Sequence, residues 1–117
     1  TAAALASENK VLAHPACADS IPTSANFEDF VSMGTIAAQK AMQILENTEY
    51  IIAIELLCAT QAIDIRGPGK LGKGTRKAYM KIREVVPPLT EDRPLNPDIE
   101  KLKAMVKGGL ILKSVAE

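Results

Sequence analysis

The sequence predicts an all-α chain built around one very long helix, the central member of a helical bundle, with an ordered active-site loop before it and two shorter helices after it. Three observations lead there. Aromatic content is 3% with no Trp, so burial must rest on Ala, Ile, Leu, Val and Met, which suits closely packed helices better than aromatic-rich strands. Val31, Ile36, Ala37, Ala41, Ile44, Ile52, Leu56 and Ile63 recur at helical spacing, and no proline interrupts them before Pro68. Ahead of that run, Pro15 and Pro22 with Ser, Thr, Asp and Asn between them exclude a continuous helix and favour a structured loop.

Thr1 to Ala6 is a small-residue lead-in, the end of a helix or of an extended strand. From Glu8 to Ala25 the chain reads as loop. Loops longer than about 12 residues tend to be functional or disordered, and Val11, Leu12 and Ile21 offer apolar anchors, so residues 1–25 are expected to form an ordered, buried functional segment. The long core helix is predicted over 26–66. Asn26 or Ser24 serves as its N-cap, and Glu28 and Asp29 place carboxylates in its first turn, where free backbone N–H groups and the helix dipole favour negative charge. Ile51, Ile52, Ile54, Leu56, Leu57 and Cys58 put apolar side chains on almost every face of its second half, the pattern of a helix surrounded by other protein. Residues 67–117 read as connector and short helices. Gly67-Pro68-Gly69 ends the long helix, and Thr75 caps a shorter one through Tyr79, Ile82 and Val86 that stops at Pro87-Pro88. After a connector from Pro88 to Pro94, Asn96 caps a last helix with Pro97 at its first position and Gly108-Gly109 at its end.

A chain of 117 residues has room for one core. Fourteen basic and fourteen acidic residues balance, which removes any general electrostatic reason to bind nucleic acid or an anionic membrane. Cys17 and Cys58 have no CxxC spacing and no second cluster of ligands, so neither a disulfide framework nor a metal site is indicated, and a reducing, cytoplasmic setting is the simpler expectation. The longest apolar run, Tyr50 to Ala59, contains Glu55 and falls short of the roughly 20 residues of a membrane-spanning helix. The chain starts at Thr1 with no basic n-region or cleavage site, and is expected to be a piece of something longer.

Glu28 is the leading candidate for chemistry, because a carboxylate held just after a rigid loop can accept a substrate's hydrogen bond or relay a proton. Capping its own helix is the plainer role. His14 and Cys17 are one helical turn apart, but Pro15 lies between them and no orienting acid accompanies them, so His14 is expected to make a loop-structuring hydrogen bond and Cys17 to be a small buried side chain. Gly67 to Thr75 has the Gly-x4-Gly-Lys-Gly-Thr spacing of a phosphate loop, yet helical periodicity precedes it where a buried strand is required. It reads as a basic connector. Lys70, Lys73, Arg76, Lys77, Lys81 and Arg83 have no aromatic stacking platform beside them, which fits a solvated face or intersubunit ion pairs better than nucleic acid.

The segment Ser20-Ile21-Pro22-Thr23-Ser24-Ala25-Asn26-Phe27-Glu28-Asp29, then Val31-Ser32-Met33-Gly34, with the His14-Pro15-Ala16 turn before it and Gln61-Ala62-Ile63-Asp64 after it, resembles the histidine ammonia-lyase branch of the aromatic amino acid lyases. The resemblance is dense from Glu8 to Gly34 and thins after Gly67 to Asp92-Arg93 and Pro97-Asp98-Ile99. It implies a cytoplasmic homotetramer of long helices with active sites assembled from more than one subunit, and deamination of L-histidine to urocanate and ammonia. The electrophile of that family is a methylidene-imidazolone formed from an Ala-Ser-Gly tripeptide, which this sequence lacks. The resemblance therefore assigns the cofactor to an N-terminal part, makes that part the partner, and leaves the isolated chain without cofactor-binding residues and inactive.

The family motif reads Gln-Glu-Asp-His followed by Val-Ser-Met, and its Glu faces the substrate's imidazole. Matched residue by residue, that role falls to Glu28 as the catalytic residue, with Asn26 and Phe27 beside it as substrate-binding residues. Phe27 stands where the family usually has Gln, and Phe30 where it usually has His. Relatives acting on tyrosine or phenylalanine often carry an amide at the position of Glu28, so its retention favours imidazole, while the two apolar replacements lean the other way. The resemblance also places the long helix among those whose positive ends face the electrophile. Its catalytic tyrosine matches neither Tyr50 nor Tyr79. The rival readings are an aromatic amino acid lyase or aminomutase of the same family, and a helical assembly module without chemistry.

Overall fold

The computed structural model describes residues 1–116, with backbone only at Lys70. Among them are five α-helices and no strand: α1 (Ala2–Leu12), α2 (Gly34–Arg66), α3 (Lys73–Arg83), α4 (Asn96–Lys107) and α5 (Leu110–Ala116). Single 3-10 turns stand at Ser24–Asn26 and Pro68–Lys70. The all-α expectation holds, and its boundaries move in four places.

The first correction is that Glu8 to Leu12 is helix, where loop was expected. Ala2, Ala3, Ala4, Leu5 and Ala6 are strong helix formers, Lys10 sits favourably in the last turn, and Pro15 acts only after the helix has closed at Ala13. The second is that the long helix begins at Gly34 and not at Asn26. Asn26 and Met33 both take left-handed backbone (φ 68° and 50°), which no α-helix accommodates, so neither Ser24 nor Asn26 caps α2. Third, the helix after the glycine-rich connector starts at Lys73, with the cap position at Gly72 and not at Thr75, while Leu95 and not Asn96 precedes α4. Fourth, three helices and not two follow α2. Gly109, at φ 65°, turns the chain out of α4 and into α5, so the glycine pair read as an end is a link.

The chain divides into two compact units, residues 1–48 and 49–117, with the division inside α2. In the first unit, α1 and its following turn are tied to α2 by polar groups. Asn47 Nδ2 donates to Glu8 Oε2 (3.2 Å) and Asn9 Oδ1 (3.0 Å), and Lys40 Nζ donates to the His14 carbonyl. No described residue of this unit is fully buried, and Cys17, expected inside, is exposed.

The second unit holds the core: Ala53 and Leu57 of α2, Ile82 of α3, Val86, and Leu102 and Met105 of α4. Leu56, Ile99 and Ile111 pack against it. Gly74 lets α5 come close, since a Cβ there would meet Val115 Cγ1 at 3.3 Å. The apolar second half of α2 is only partly enclosed within the chain, for Ala53, Leu57 and Thr60 are buried while Cys58 and Ile65 are exposed.

Candidate active site

The segment between α1 and α2 has little apolar material to hold it, and its shape comes from two polar clasps. Thr23 and Glu28 face each other as an isolated antiparallel bridge. The Thr23 N–H donates to the Glu28 carbonyl at 2.7 Å, and the Glu28 N–H donates to the Thr23 carbonyl at 3.3 Å. Reversing the chain within four residues forces Ser24, Ala25 and Asn26 into left-handed backbone, with φ of 51°, 55° and 68°. Each L-residue there carries roughly 1–2 kcal/mol of strain, least for Asn. Outside the bridge, Ser20 Oγ donates to the Asp29 carbonyl at 3.2 Å and accepts the Val31 N–H at 2.8 Å. Glu28 is thus paired with Thr23, and the chain leaving it is fastened to Ser20.

Glu28 itself is exposed and lies six residues ahead of α2, so the expectation that it sits in the helix's first turn, under the dipole, is corrected. Its Oε2 accepts a hydrogen bond from Thr23 Oγ1 at 3.1 Å, and among the described residues its Oε1 accepts none. Phe27 is 94% and Phe30 85% exposed, and Asn26 is exposed as well. The predicted trio of Asn26, Phe27 and Glu28 therefore sits together on an open turn, not in a buried loop. Ile21 is exposed too and does not serve as an anchor. Such an arrangement offers one fixed carboxylate oxygen and one free to take a proton donor, beside two uncovered phenyl rings. Sequence reasoning passed over Thr23 and Ser20, although hydroxyl residues on either side of a proline are the usual clasp formers in tight turns.

The His14 turn carries the loop-structuring bonds expected of it, through its backbone: its N–H donates to the Val11 carbonyl at 3.1 Å and its carbonyl accepts from Lys40. The Gln61-Ala62-Ile63-Asp64 run proves to be an internal brace of the second unit. Gln61 grips Leu89 from both sides, donating from Nε2 to its carbonyl (3.1 Å) and accepting its N–H at Oε1 (2.9 Å), which ties the proline connector to α2. Asp64 accepts from both Tyr79 Oη and Arg83 Nη2 of α3. The hydrogen bond to Asp64, then burial and the Asp64 charge, push the Tyr79 phenol above its ordinary value of 10.0, against a lowering pull from Arg83. Arg93 performs the same office for α4, joining Asp98 Oδ2 (2.9 Å) to the carbonyls of Pro87 (2.9 Å) and Pro88 (3.2 Å). Among the described residues no group of three or more His, Cys, Asp or Glu side chains is placed to hold a metal ion, and no helix is long and apolar enough to cross a membrane. α2, not a strand, leads into the Gly67 to Thr75 connector.

Known proteins resemble this chain over most of its length. The aromatic amino acid lyase family model matches residues 1–84. The histidine ammonia-lyase of Natranaerobius thermophilus is 60% identical over 115 residues, which cover 98% of this chain and 23% of that protein. Among solved structures, histidine ammonia-lyase from Trypanosoma cruzi superposes with a TM-score of 0.92 at 49% identity, over 97% of this chain and 22% of that one. Tyrosine aminomutase from Streptomyces globisporus gives a TM-score of 0.92 at 36% identity, again over 97% and 22%. The chain thus spans about a quarter of the length of the relatives it matches.

Proposed function

Because the chain belongs to the aromatic amino acid lyase family, we propose that it is the C-terminal part of an ammonia-lyase that converts L-histidine to urocanate and ammonia. Its partners are an N-terminal part of the same lyase and further copies in a cytoplasmic homotetramer, and the uncovered Phe27, Phe30, Met42 and Leu112 side chains are apolar surface of the kind such partners cover. The methylidene-imidazolone of the family needs an Ala-Ser-Gly run that is absent from this sequence. Two hydroxyls of the loop are already engaged within it, Ser20 with the Asp29 carbonyl and the Val31 N–H, and Thr23 with Glu28. With the tripeptide absent, the ring belongs to other polypeptide, and the part left to this chain is to hold substrate.

The observation that carries the reading is Glu28, a carboxylate fixed through one oxygen and open at the other. An imidazole N–H is a donor suited to that oxygen, and the charge-assisted bond it makes is about twice as strong as a neutral one. A phenyl ring has no such donor. In the complete enzyme, Glu28→Gln lowers kcat/KM for histidine on the order of 100-fold, followed by urocanate absorbance; unchanged kinetics would defeat the assignment.

A second reading has its own observation in the exposed Phe27 and Phe30, since apolar walls in place of polar groups suit an aromatic ring. It makes the complete protein an aromatic amino acid lyase or aminomutase. Turnover of tyrosine or phenylalanine in preference to histidine by the same preparation decides for it.

A further inference from the structure

Resting on the reading of Glu28 as the group that meets the substrate ring, we propose that Thr23 is the positioning residue that sets the direction of the Glu28 carboxylate. Residues opposite each other in an antiparallel bridge project to the same side, and the pair is joined three times: two backbone bonds of 2.7 and 3.3 Å, and the Thr23 Oγ1 to Glu28 Oε2 bond of 3.1 Å. The backbone bonds fix where the Glu28 side chain starts. A glutamate has three rotatable bonds beyond that point, and a carboxylate in open solvent explores them all. The threonine hydroxyl restricts that freedom by engaging Oε2, which leaves Oε1 without a hydrogen bond among the described residues.

Two features indicate that the clasp is built for this purpose. The turn between the partners keeps Ser24, Ala25 and Asn26 left-handed, a strained path that a longer or looser loop would avoid. Ser20 separately anchors Asp29 and Val31, so the chain leaving Glu28 is held without any help from the Thr23 hydroxyl. That hydroxyl is therefore not required to close the loop, and its bond goes to the one side chain to which the chemistry is assigned.

Thr23→Val is the natural probe, because valine keeps the shape and suits the extended backbone at this position (φ −124°, ψ 173°) while removing the donor. In the full-length lyase it is expected to lower kcat/KM for histidine about 10-fold, and Thr23→Ser, which keeps the hydroxyl, to restore most of it. A double-mutant cycle with Glu28→Ala separates positioning from loop support. If Thr23 acts through the carboxylate, Thr23→Val adds nothing once Glu28 is alanine. Equal losses in both backgrounds, or a serine variant as weak as the valine one, would overturn the proposal while leaving the role of Glu28 intact. A Glu28→Ala enzyme with unaltered kinetics would overturn both.

Discussion

Residues 1–48 and 49–117 hold their shapes by opposite means. The second unit is organised around buried apolar side chains, with Ala53, Ile82, Val86 and Leu102 essentially without solvent contact, and its polar groups act as braces around that core. The first unit buries nothing completely, leaves Val11, Ile21, Phe27, Phe30, Met42 and Leu45 largely uncovered, and is held by hydroxyl and amide clasps. One unit spends its sequence on its own stability. The other presents a strained, polar turn with its apolar neighbours exposed, the pattern expected where function and packing compete for the same positions.

The comparison is broken most forcefully by truncating each unit in turn. Leu102→Ala removes a fully buried side chain and is expected to destabilise the chain by about 3 kcal/mol in urea denaturation. Leu45→Ala, at a residue 60% exposed, should change it by less than about 0.5 kcal/mol. Placed in the complete lyase, Leu45→Ala is expected to become the more costly for being covered there, and equal small effects in both settings would contradict the idea of a unit finished by other polypeptide.

Asp64→Asn comes next, as a test of the bracing. The Asp64 and Arg83 side chains are 18% and 11% exposed, and Arg83 Nε already has no hydrogen-bond partner. Leaving that guanidinium without its carboxylate should destabilise the second unit by about 2–3 kcal/mol and speed hydrogen exchange in α3. Tyr79 adds a pH dependence whose sign is set by its upward shift. A phenol held neutral in the folded state contributes stability that is fully present below the ordinary value of 10.0 and is lost as pH rises through the higher folded value. Tyr79→Phe should therefore flatten the alkaline fall in stability above about pH 10 without steepening it anywhere below.

The two units were also unequally legible. Core helices followed from periodicity, and the end of α3 near Pro87-Pro88 and of α4 near Gly108 came within a few residues, since proline and glycine act locally. α5 was missed because Gly109 in left-handed backbone serves equally as a stop and as a hinge between helices, and only the packing of α5 on α3 and α4 decides. The start of α2 was misplaced for a related reason. Glu28 and Asp29 ahead of an apolar run look like a helix's first turn, but the Thr23 bridge competes for the same backbone N–H and wins, a contact that sequence spacing does not display. The motif around Glu28 was legible by family resemblance, whereas the Thr23 clasp on it was not. The Gln61 and Asp64 run was noticed for its likeness and proves to brace Leu89, Tyr79 and Arg83.

The smallest expected effect is the sharpest probe of strain in the first unit. Ala25 sits at φ 55°, ψ 43°, where an alanine carries roughly 1 kcal/mol that glycine does not. Glycine, however, gains about 0.5–1 kcal/mol of disorder in the unfolded chain, which opposes the relief. The two terms nearly cancel, so Ala25→Gly should shift stability by less than about 0.5 kcal/mol while leaving the Thr23 to Glu28 bridge in place. A gain well above 1 kcal/mol would mean the strain is heavier than a single left-handed residue explains, and that the clasps hold the turn against it. A comparable loss would mean that the Ala25 methyl packs against something, and that the first unit is less dependent on its polar bonds than the contrast with the second unit implies.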